Sequence, residues 1–347
     1  MNAPVRTLVV DDSPTMRATL NRILSADPDI EVVGTAPEPY AAREMIKQLD
    51  PDVLTLDVEM PGMDGLSFLE KIMRLRPMPV VMCSTLTARG AAVTIEALRL
   101  GAVDYITKPS GTPEDIARDA ALLCTKVKSA ARSAVRAGPN PLPAVRSTGG
   151  VWNADSIIAI GSSTGGVEAL FSLLPALPAD CPPVLIVQHM PATFTRSFAD
   201  RLNSECKAKV VEASDGMPVE RGTVYIAPGG ETHMELSRDG QKRIRLRHGD
   251  PVGGHRPAVD VLFRSLVPVA PSVVGVILTG MGQDGAHGLA DLRTAGARTL
   301  GQSKDSCVVY GMPRAAFEAG AVERELGLAA MPEAILMACR SEKRRSV

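Results

Sequence analysis

Short apolar runs alternate with longer amphipathic stretches along the first part of the chain. The stretches between the runs, such as MRATLNRIL and LSFLEKIMRL, place apolar residues at helical spacing. Strands that are apolar throughout and separated by helices are typical of a parallel sheet covered on both faces. We therefore predict an α/β domain with five parallel strands over residues 1–125. Its predicted strands are TLVVDD (7–12), EVVGTA (31–36), DVLTLDV (52–58), PVVMCS (79–84) and VDYITKP (103–109).

The same alternation returns in the second half, and it predicts another α/β domain over residues 151–347. Residues 231–248 differ, because polar and apolar residues alternate about an Asp239-Gly240 turn, which indicates a β-hairpin. We expect a doubly wound, mostly parallel domain that carries this hairpin, with a frayed end at SEKRRSV. The predicted strands are SIIAIG, PVLIVQHM, TVYIAP, SVVGVILTGMG and ARTLGQ, and the predicted helices VEALFSLL, TRSFADRL, AVDVLFRSL and DGAHGLADLRTAG.

Composition separates the two halves and limits the partners. Residues 126–150 are rich in Ala, Arg, Pro, Ser and Gly without apolar periodicity, so we assign them to a linker.

The net charge is −1, which gives no reason to expect nucleic acid as a partner. The chain begins without a signal-peptide pattern, and no apolar run approaches the roughly 18 residues of a spanning helix, so we expect no membrane insertion. Six cysteines without a CxxC pair indicate reduced thiols in the cytoplasm.

Acidic residues follow two of the predicted strands in the first half. Asp11 and Asp12 end the first strand, and Asp57 ends the third. Carboxyl ends of parallel strands share one edge of the sheet, and three carboxylates there favour Mg²⁺. Ser84 and Lys108 end later strands, so the same edge has the groups needed to accept a phosphoryl group. Alternatively, the aspartates only cap the helices that follow, as Asp12 before SPTM could.

The segments VVDDSP, LDVEMPGMDGL, VMCS and YITKP resemble the receiver domain of two-component response regulators, over residue 5 to about 125. The resemblance implies a flavodoxin-like fold in which Asp57 accepts phosphate from a histidine kinase. It implies that Asp11, Asp12, Asp57 and the backbone of Glu59 place Mg²⁺. It further implies that Ser84 and Tyr105 move on phosphorylation and that Lys108 pairs with the phosphate.

The segment IIAIGSSTGG, residues 157–166, breaks a predicted strand with a turn of small residues. Such a turn could bind a nucleotide phosphate, but it gives neither GxGxxG nor GK[ST], and no acid follows at ribose distance. Residues 161–165 instead fit G-x-S-x-G between a strand and a helix, a context that exposes a nucleophilic Ser163. The N-terminus of the next helix would offer N–H groups to an oxyanion.

A nucleophilic serine needs a base and a carboxylate. His189 ends the strand PVLIVQH, and Asp284 follows another strand end, so both are expected at the edge that carries Ser163. Asp284 could instead cap the helix AHGLADL, and His287 is the rival base, three residues further on. For the remaining histidines, His233, His248 and His255, we expect a surface or structural role.

The segments IGSSTGG, VQHMP, FTRSFADRLN, YIAPGG, HMEL, HRPAVDVLF, LTGMGQDGA and CVVYGMPRAA resemble the catalytic domain of the chemotaxis methylesterase family, CheB, over residue 156 to about 325. The resemblance implies hydrolysis of glutamate γ-methyl esters on methyl-accepting chemoreceptors, deamidation of receptor glutamines, and no cofactor for the esterase. It implies Ser163 as nucleophile, His189 as general base and acid, and Asp284 as its orienting partner. Thr164 and the amide of Met281 become candidates for the oxyanion site. His287 is not a motif residue of the family.

Two domains on one chain suggest that one controls the other. Our hypothesis is that the unphosphorylated receiver covers the mouth near Ser163 and that phosphorylation of Asp57 weakens this contact through the face of Ser84 and Tyr105. A regulator whose second domain binds a partner or DNA without catalysis is the alternative. The near-neutral charge and the lack of a basic recognition helix weigh against it.

Overall fold

The computed structural model describes residues 3–85, 87–109, 112–133, 142, 152–237 and 240–340. The chain divides into two compact units, Met1–Pro139 and Asn140–Val347. Every helix in the described part of the chain is too short or too polar to cross a membrane.

The first unit contains a five-stranded sheet in the order β2-β1-β3-β4-β5, with every pairing parallel. This confirms the predicted fold. The strand order reverses between β1 and β3, so the residues after these two strands face a common crevice. The strands are β1 (Val5–Val10), β2 (Ile30–Ala36), β3 (Val53–Asp57), β4 (Val80–Ser84) and β5 (Asp104–Thr107). The helices are α1 (Pro14–Ser25), α2 (Pro39–Leu49), α3 (Gly65–Leu75), α4 (Ala88–Arg99) and α5 (Pro113–Ala131).

Local sequence explains where these elements begin. Every residue of β3 and β4 is buried, as expected for inner strands with helices on both faces. Side chains cap three helices: the Ser13 hydroxyl accepts a hydrogen bond from the amide of Met16, and Asp64 and Thr87 do the same for α3 and α4. The final helix, α5, includes the first six residues of the predicted linker, and residues 134–141 and 143–150 lie outside the described residues.

The second unit contains a seven-stranded parallel sheet in the order β14-β13-β12-β6-β7-β9-β8 and a separate two-stranded antiparallel hairpin, β10-β11. The predicted doubly wound domain with a hairpin is confirmed. The strands are β6 (Ile157–Ser162), β7 (Val184–Gln188), β8 (Lys209–Glu212), β9 (Thr223–Ile226), β10 (Thr232–Leu236), β11 (Ile244–His248), β12 (Val273–Ile277), β13 (Arg298–Gln302) and β14 (Arg324–Leu326). The helices are α6 (Gly166–Leu173), α7 (Ala192–Asn203), α8 (Val259–Ser265), α9 (Ala286–Thr294), α10 (Met312–Glu318) and α11 (Met331–Ala338).

In the core of the second unit, α8 packs against the central strand β6. Gly161 in β6 has no side chain because an added Cβ would lie 2.2 Å from Cγ1 of Val259. Leu262 and Phe263 of the same helix are fully buried in this core. Because α8 packs directly on β6, its N-terminus lies near the turn that follows the strand.

The structure contains elements that apolar patterning does not predict. The edge strands β8 and β14 are only four and three residues long and carry partly exposed residues, so they lack a continuous apolar run. The hairpin forms as predicted, but Asp239 of its predicted turn lies outside the described residues, as does the predicted frayed end, residues 341–347.

Candidate active site

Ser163 lies directly after β6, at the carboxyl edge of the seven-stranded sheet. β6 pairs with β7 on one side and with β12 on the other. The chain passes first to β7 and reaches β12 only later, so the strand order reverses between β6 and β12. In an open α/β sheet such a reversal creates a crevice where ligands bind. The predicted nucleophile therefore lies where this fold has room for a substrate.

Gln188, the last residue of β7, fixes the turn that carries Ser163. Its side-chain amide donates hydrogen bonds to the carbonyl oxygens of Ser163 (2.9 Å) and His189 (3.3 Å). Its Oε1 accepts a hydrogen bond from the hydroxyl of Ser162 (2.7 Å), which is completely buried. Gly166 leaves space for this amide, because an added Cβ would lie 2.1 Å from Oε1. The Ser162 hydroxyl is thus committed to Gln188, whereas Ser163 is only partly buried.

His189 and Asp284 are brought together from two different strand ends. His189 follows β7, and its amide donates to the carbonyl oxygen of Ser162 (3.1 Å). Its Nε2 lies 2.8 Å from Oδ2 of Asp284, and the two side chains are only 9% and 3% exposed. The structure therefore pairs Asp284 with His189, while His287 lies exposed on α9.

The His189 ring and two backbone donors hold the Asp284 carboxylate in its charged form. The amides of Val259 and Asp260, at the start of α8, donate to Oδ2 (2.7 Å) and Oδ1 (3.0 Å). Asp284 thus accepts hydrogen bonds from α8 and does not cap its own helix, since α9 begins after Gly285 without a side-chain cap. Burial acts to raise the pKa of Asp284, but the His189 ring and these amides outweigh it and hold the pKa below its ordinary value.

The other ring nitrogen of His189, Nδ1, is buried and has no hydrogen-bond partner within the described part of the chain. Because Nε2 faces a carboxylate, it carries the proton of the neutral ring, and Nδ1 is left as the acceptor. Ser163 and His189 directly follow Ser162 and Gln188, which are paired across β6 and β7. Neighbouring strands lie roughly 5 Å apart, so the unpaired acceptor belongs to a residue whose backbone is adjacent to that of Ser163.

Thr164 and Met281, the candidates for the oxyanion site, belong to two loops that meet at Ser163. Gly280 packs so closely that an added Cβ would lie 2.9 Å from Cβ of Ser163, and Met281 follows it directly. The carbonyl oxygen of Thr164 accepts a hydrogen bond from the Thr279 hydroxyl (3.0 Å), which ties the loops together. Both candidates therefore flank Ser163.

Two of the remaining histidines have the roles expected from the sequence. His233 is buried, its Nδ1 accepts a hydrogen bond from the amide of Ala258 (3.1 Å), and its Nε2 lies 3.0 Å from the carbonyl oxygen of Asp250. His248 is exposed at the end of β11.

His255 is a residue of the site that sequence reasoning missed. Its ring stacks on the His189 ring, with 3.7 Å between centroids and 5° between planes. Burial, and then the charge of His189, lower the pKa of His255 to about 4 against an opposing effect of Asp284. The sequence carries two signals for it: the Gly253-Gly254 pair, a tight turn directly before this histidine, and the segment HRPAVDVLF, which begins with it.

A cavity of about 350 Å³ opens beside His189. Met190, Pro191, His255 and Arg256 contribute to its wall, and none of its lining residues is an acid. Arg256 is turned to the protein backbone, donating to the carbonyl oxygens of Gly230 and Gly249. The cavity therefore offers room for a substrate side chain next to the His189 ring.

The predicted acidic cluster of the first unit is also present. Asp11, Asp12 and Asp57 each offer a carboxylate oxygen, and these oxygens all lie within 4.8 Å of one another. Asp11 and Asp57 are buried, whereas Asp12 is exposed. The amide of Glu59 donates to Oδ1 of Asp57 (3.2 Å). Three close carboxylates with an open side are a donor set that fits Mg²⁺.

Lys108 provides the cation of this cluster. Its Nζ lies 2.9 Å from Oδ2 of Asp11 and 2.8 Å from Oδ2 of Asp57. Burial raises the pKa of Asp57; Lys108 acts against this effect, and the charge of Asp11 adds to it. Two carboxylates thus share one ammonium group, so the cluster can accept further positive charge.

Ser84 and Tyr105, the predicted switch residues, lie on the neighbouring strands β4 and β5. The Ser84 hydroxyl donates to the carbonyl oxygen of Thr85 (3.2 Å). Tyr105 is buried, with Nζ of Lys126 4.7 Å from its ring centroid. Burial and the charge of Asp104 raise the pKa of Tyr105 well above its ordinary value, so its hydroxyl stays protonated.

Comparison with known proteins finds relatives for both units. Residues 158–335 match the family model described as CheB methylesterase, and residues 7–119 match the response regulator receiver domain. A Caulobacter vibrioides protein named protein-glutamate methylesterase/protein-glutamine glutaminase 1 is 59% identical over 340 residues, which cover 96% of this chain and 98% of that protein. An Agrobacterium fabrum protein-glutamate methylesterase/protein-glutamine glutaminase is 54% identical, over 99% of both chains.

A solved structure also resembles the second unit. The crystal structure of the Thermotoga maritima CheB methylesterase catalytic domain is 39% identical and superposes with a TM-score of 0.51. The match covers 97% of that chain and 52% of this one.

Proposed function

Because the chain belongs to the CheB methylesterase family and carries a receiver domain before the catalytic domain, we propose that it hydrolyses glutamate γ-methyl esters and deamidates glutamines on chemoreceptors under the control of phosphorylation. It is a protein-glutamate methylesterase and protein-glutamine glutaminase, as its relatives are named over nearly their whole length. We infer Ser163, His189 and Asp284 as its catalytic residues.

The contact between His189 and Asp284 beside Ser163 is the observation that carries this proposal. In the first step Nδ1 of His189 takes the proton of the Ser163 hydroxyl while Oγ bonds to the ester carbonyl carbon. Asp284 stays charged, accepts from Nε2–H, and stabilises the imidazolium that forms. The negative charge on the former carbonyl oxygen is stabilised by Thr164 and by backbone amides near Ser163, including that of Met281.

The imidazolium then returns its proton to the leaving oxygen, the C–O bond breaks, and methanol departs. Water attacks the resulting acyl-serine, His189 takes the proton of the water, and the glutamate carboxylate is released with Ser163 regenerated. A glutamine side chain follows the same route with ammonia as leaving group.

In the receiver domain we infer that Asp57 accepts a phosphoryl group from the phosphohistidine of a kinase, so that a P–N bond breaks and an acyl phosphate forms. Asp11, Asp12 and Asp57 would hold Mg²⁺, which supplies positive charge to the transferred oxygens. Lys108 would pair with the phosphate, and Ser84 and Tyr105 would respond to it. The partners that follow are a chemotaxis histidine kinase and methyl-accepting chemoreceptors, and the setting is the cytoplasm.

The proposal is tested by methanol release from methylated receptor. We expect release by the wild type, loss on Ser163→Ala, and retention on Ser214→Ala, an exposed serine between β8 and β9. Equal methanol release by the wild type and Ser163→Ala would contradict the assignment of the nucleophile.

A further inference from the structure

His255 occupies a rigid position against the face of His189. Val252 and His255 exchange two backbone hydrogen bonds of 3.0 Å across Gly253 and Gly254. The two glycines have φ values of +60° and +85°, which a two-residue hairpin turn requires and other residues rarely adopt. Because His255 directly follows this tight turn, the turn fixes the backbone from which its ring extends.

Asp284 alone leaves the orientation of His189 incomplete. A hydrogen bond at Nε2 fixes one edge of the ring, but small rotations about the Cα–Cβ and Cβ–Cγ bonds can still tilt the ring plane. Such a tilt would move Nδ1, the nitrogen that takes the proton of Ser163 in the proposed reaction. A second ring lying parallel at 3.7 Å removes this freedom on one side, because tilting His189 would drive the two rings into each other.

The charge of His255 matters as much as its shape. His189 and Asp284 are the titratable groups that act on it, and the guanidinium of Arg256 is occupied by two carbonyl oxygens. Burial and His189 together keep the His255 ring neutral at physiological pH. A neutral aromatic face beside a ring that becomes a cation is attractive, whereas a second cation would repel it.

We propose that His255 is a positioning residue: it sets the plane of the His189 ring and, being uncharged, offers a π face to the imidazolium that His189 becomes when it takes the proton of Ser163. This inference rests on the proposed function, since it assigns His255 a role in that same reaction. It requires a flat neutral ring at position 255 and does not require the imidazole nitrogens.

Three substitutions separate the effect of the shape of residue 255 from the effect of its charge. Each variant is assayed with a synthetic peptide that bears a glutamate γ-methyl ester. His255→Phe keeps a flat neutral ring, and we expect kcat within about threefold of wild type. His255→Ala removes the ring, and we expect kcat to fall at least about tenfold with KM nearly unchanged. His255→Lys adds a cation, and we expect a larger loss with the acid limb of the kcat/KM profile moved to lower pH. His248→Ala, an exposed histidine in the same unit, is the control.

Folding is checked by the fluorescence of Trp152, the single tryptophan of the chain, which is buried in this unit. An active His255→Ala, a loss confined to KM, or a His255→Phe as impaired as His255→Ala would each overturn the proposal. A second measurement needs no turnover: NMR relaxation of the His189 ring should show added motion in His255→Ala and none in His255→Phe. If the wild type releases no methanol, the proposed function fails, while the NMR result still decides whether His255 holds the ring.

Discussion

Nε2 of His189 lies 2.8 Å from Oδ2 of Asp284, while Nδ1 of the same ring is buried without a hydrogen-bond partner in the described part of the chain. The carboxylate therefore selects which nitrogen carries the proton and which one can accept it. The arrangement predicts that catalysis depends on the charge of Asp284 as well as on its shape.

Replacing Asp284 by Asn should lower kcat for methyl-ester hydrolysis by about 10³-fold or more, because an amide can favour the wrong ring tautomer and cannot stabilise the imidazolium. The amide oxygen can still accept from one amide of α8, so the unit should remain folded. Asp250→Asn, an exposed residue, is the matched control. Methanol release near the wild-type rate in Asp284→Asn would remove Asp284 from the mechanism.

Gln188 should be needed for both stability and rate. Its side chain makes hydrogen bonds to Ser162, Ser163 and His189, so Gln188→Leu leaves buried polar groups unsatisfied. At about 1–3 kcal/mol for an unsatisfied buried group, the free energy of unfolding of this unit should fall by a few kcal/mol. The rate should fall as well, since the turn that holds Ser163 loosens. Unfolding followed by Trp152 fluorescence, with Gln241→Leu on the surface as control, measures the first effect.

The low pKa of His255 predicts an acid-dependent loss of stability. The folded value is about 4 and the ordinary value 6.5, so between these pH values the unfolded chain binds more protons than the folded one. Stability is therefore complete above pH 6.5 and is lost as pH falls toward 4. The loss amounts to at most about 3 kcal/mol, and to less because the ring retains some contact with solvent.

His255→Phe removes this titration. The stability difference between His255→Phe and the wild type should therefore grow in favour of Phe as the pH falls from 7 to 4, and denaturant unfolding read by Trp152 fluorescence gives this difference. A difference that stays constant with pH would mean that His255 titrates normally in the folded unit.

The outline of the site follows from the sequence, because Ser163, His189 and Asp284 each follow a buried apolar run, and parallel strands bring such ends to one edge. The partner of each ring nitrogen could not be predicted, because it depends on a side-chain rotation and not on the order of strands. That Asp284 binds the amides of α8 was equally hidden, since residues 25 and 24 positions apart meet only through tertiary packing.

His255 shows a different limit of sequence reasoning. It lies on a loop, and neither apolar periodicity nor a strand end marks its place in the fold. Only the packing of the Gly253-Gly254 turn brings its ring onto His189. The edge strands β8 and β14 were not predicted for a related reason. Each is short and pairs with a neighbouring strand on one side, so it needs few apolar residues.

In the receiver domain, Asp57→Asn should raise stability at neutral pH. The raised pKa of Asp57 means that the folded unit holds its proton more tightly than the unfolded chain. Stability therefore falls as pH rises through the window above 3.8, and the charged carboxylate is destabilising at pH 7. Asn removes that charge and leaves Lys108 to Asp11.

Far-UV circular dichroism of the whole chain measures this effect, with Trp152 fluorescence identifying the transition of the catalytic unit. Millimolar Mg²⁺ should stabilise the wild type more than Asp57→Asn, because one of its three carboxylates is lost. Asp52→Asn is the control for a carboxylate of the same unit outside the cluster. Equal Mg²⁺ effects on the wild type and Asp57→Asn would contradict the proposed metal site.

Phosphorylation should change the esterase rate if the receiver domain restrains the catalytic domain. We expect a small-molecule phosphodonor with Mg²⁺ to raise kcat/KM of the full-length chain at least about tenfold, which corresponds to only about 1.4 kcal/mol of preference between two states. Asp57→Asn should not respond.

A chain that begins at Gly150 should match the phosphorylated form without any donor, since the second unit has a hydrophobic core of its own and resembles a catalytic domain crystallised alone. Ser163→Ala in each form gives the background rate. If the shortened chain is no faster than the unphosphorylated full-length chain, the receiver does not inhibit the esterase, and phosphorylation must act on the encounter with the receptor instead.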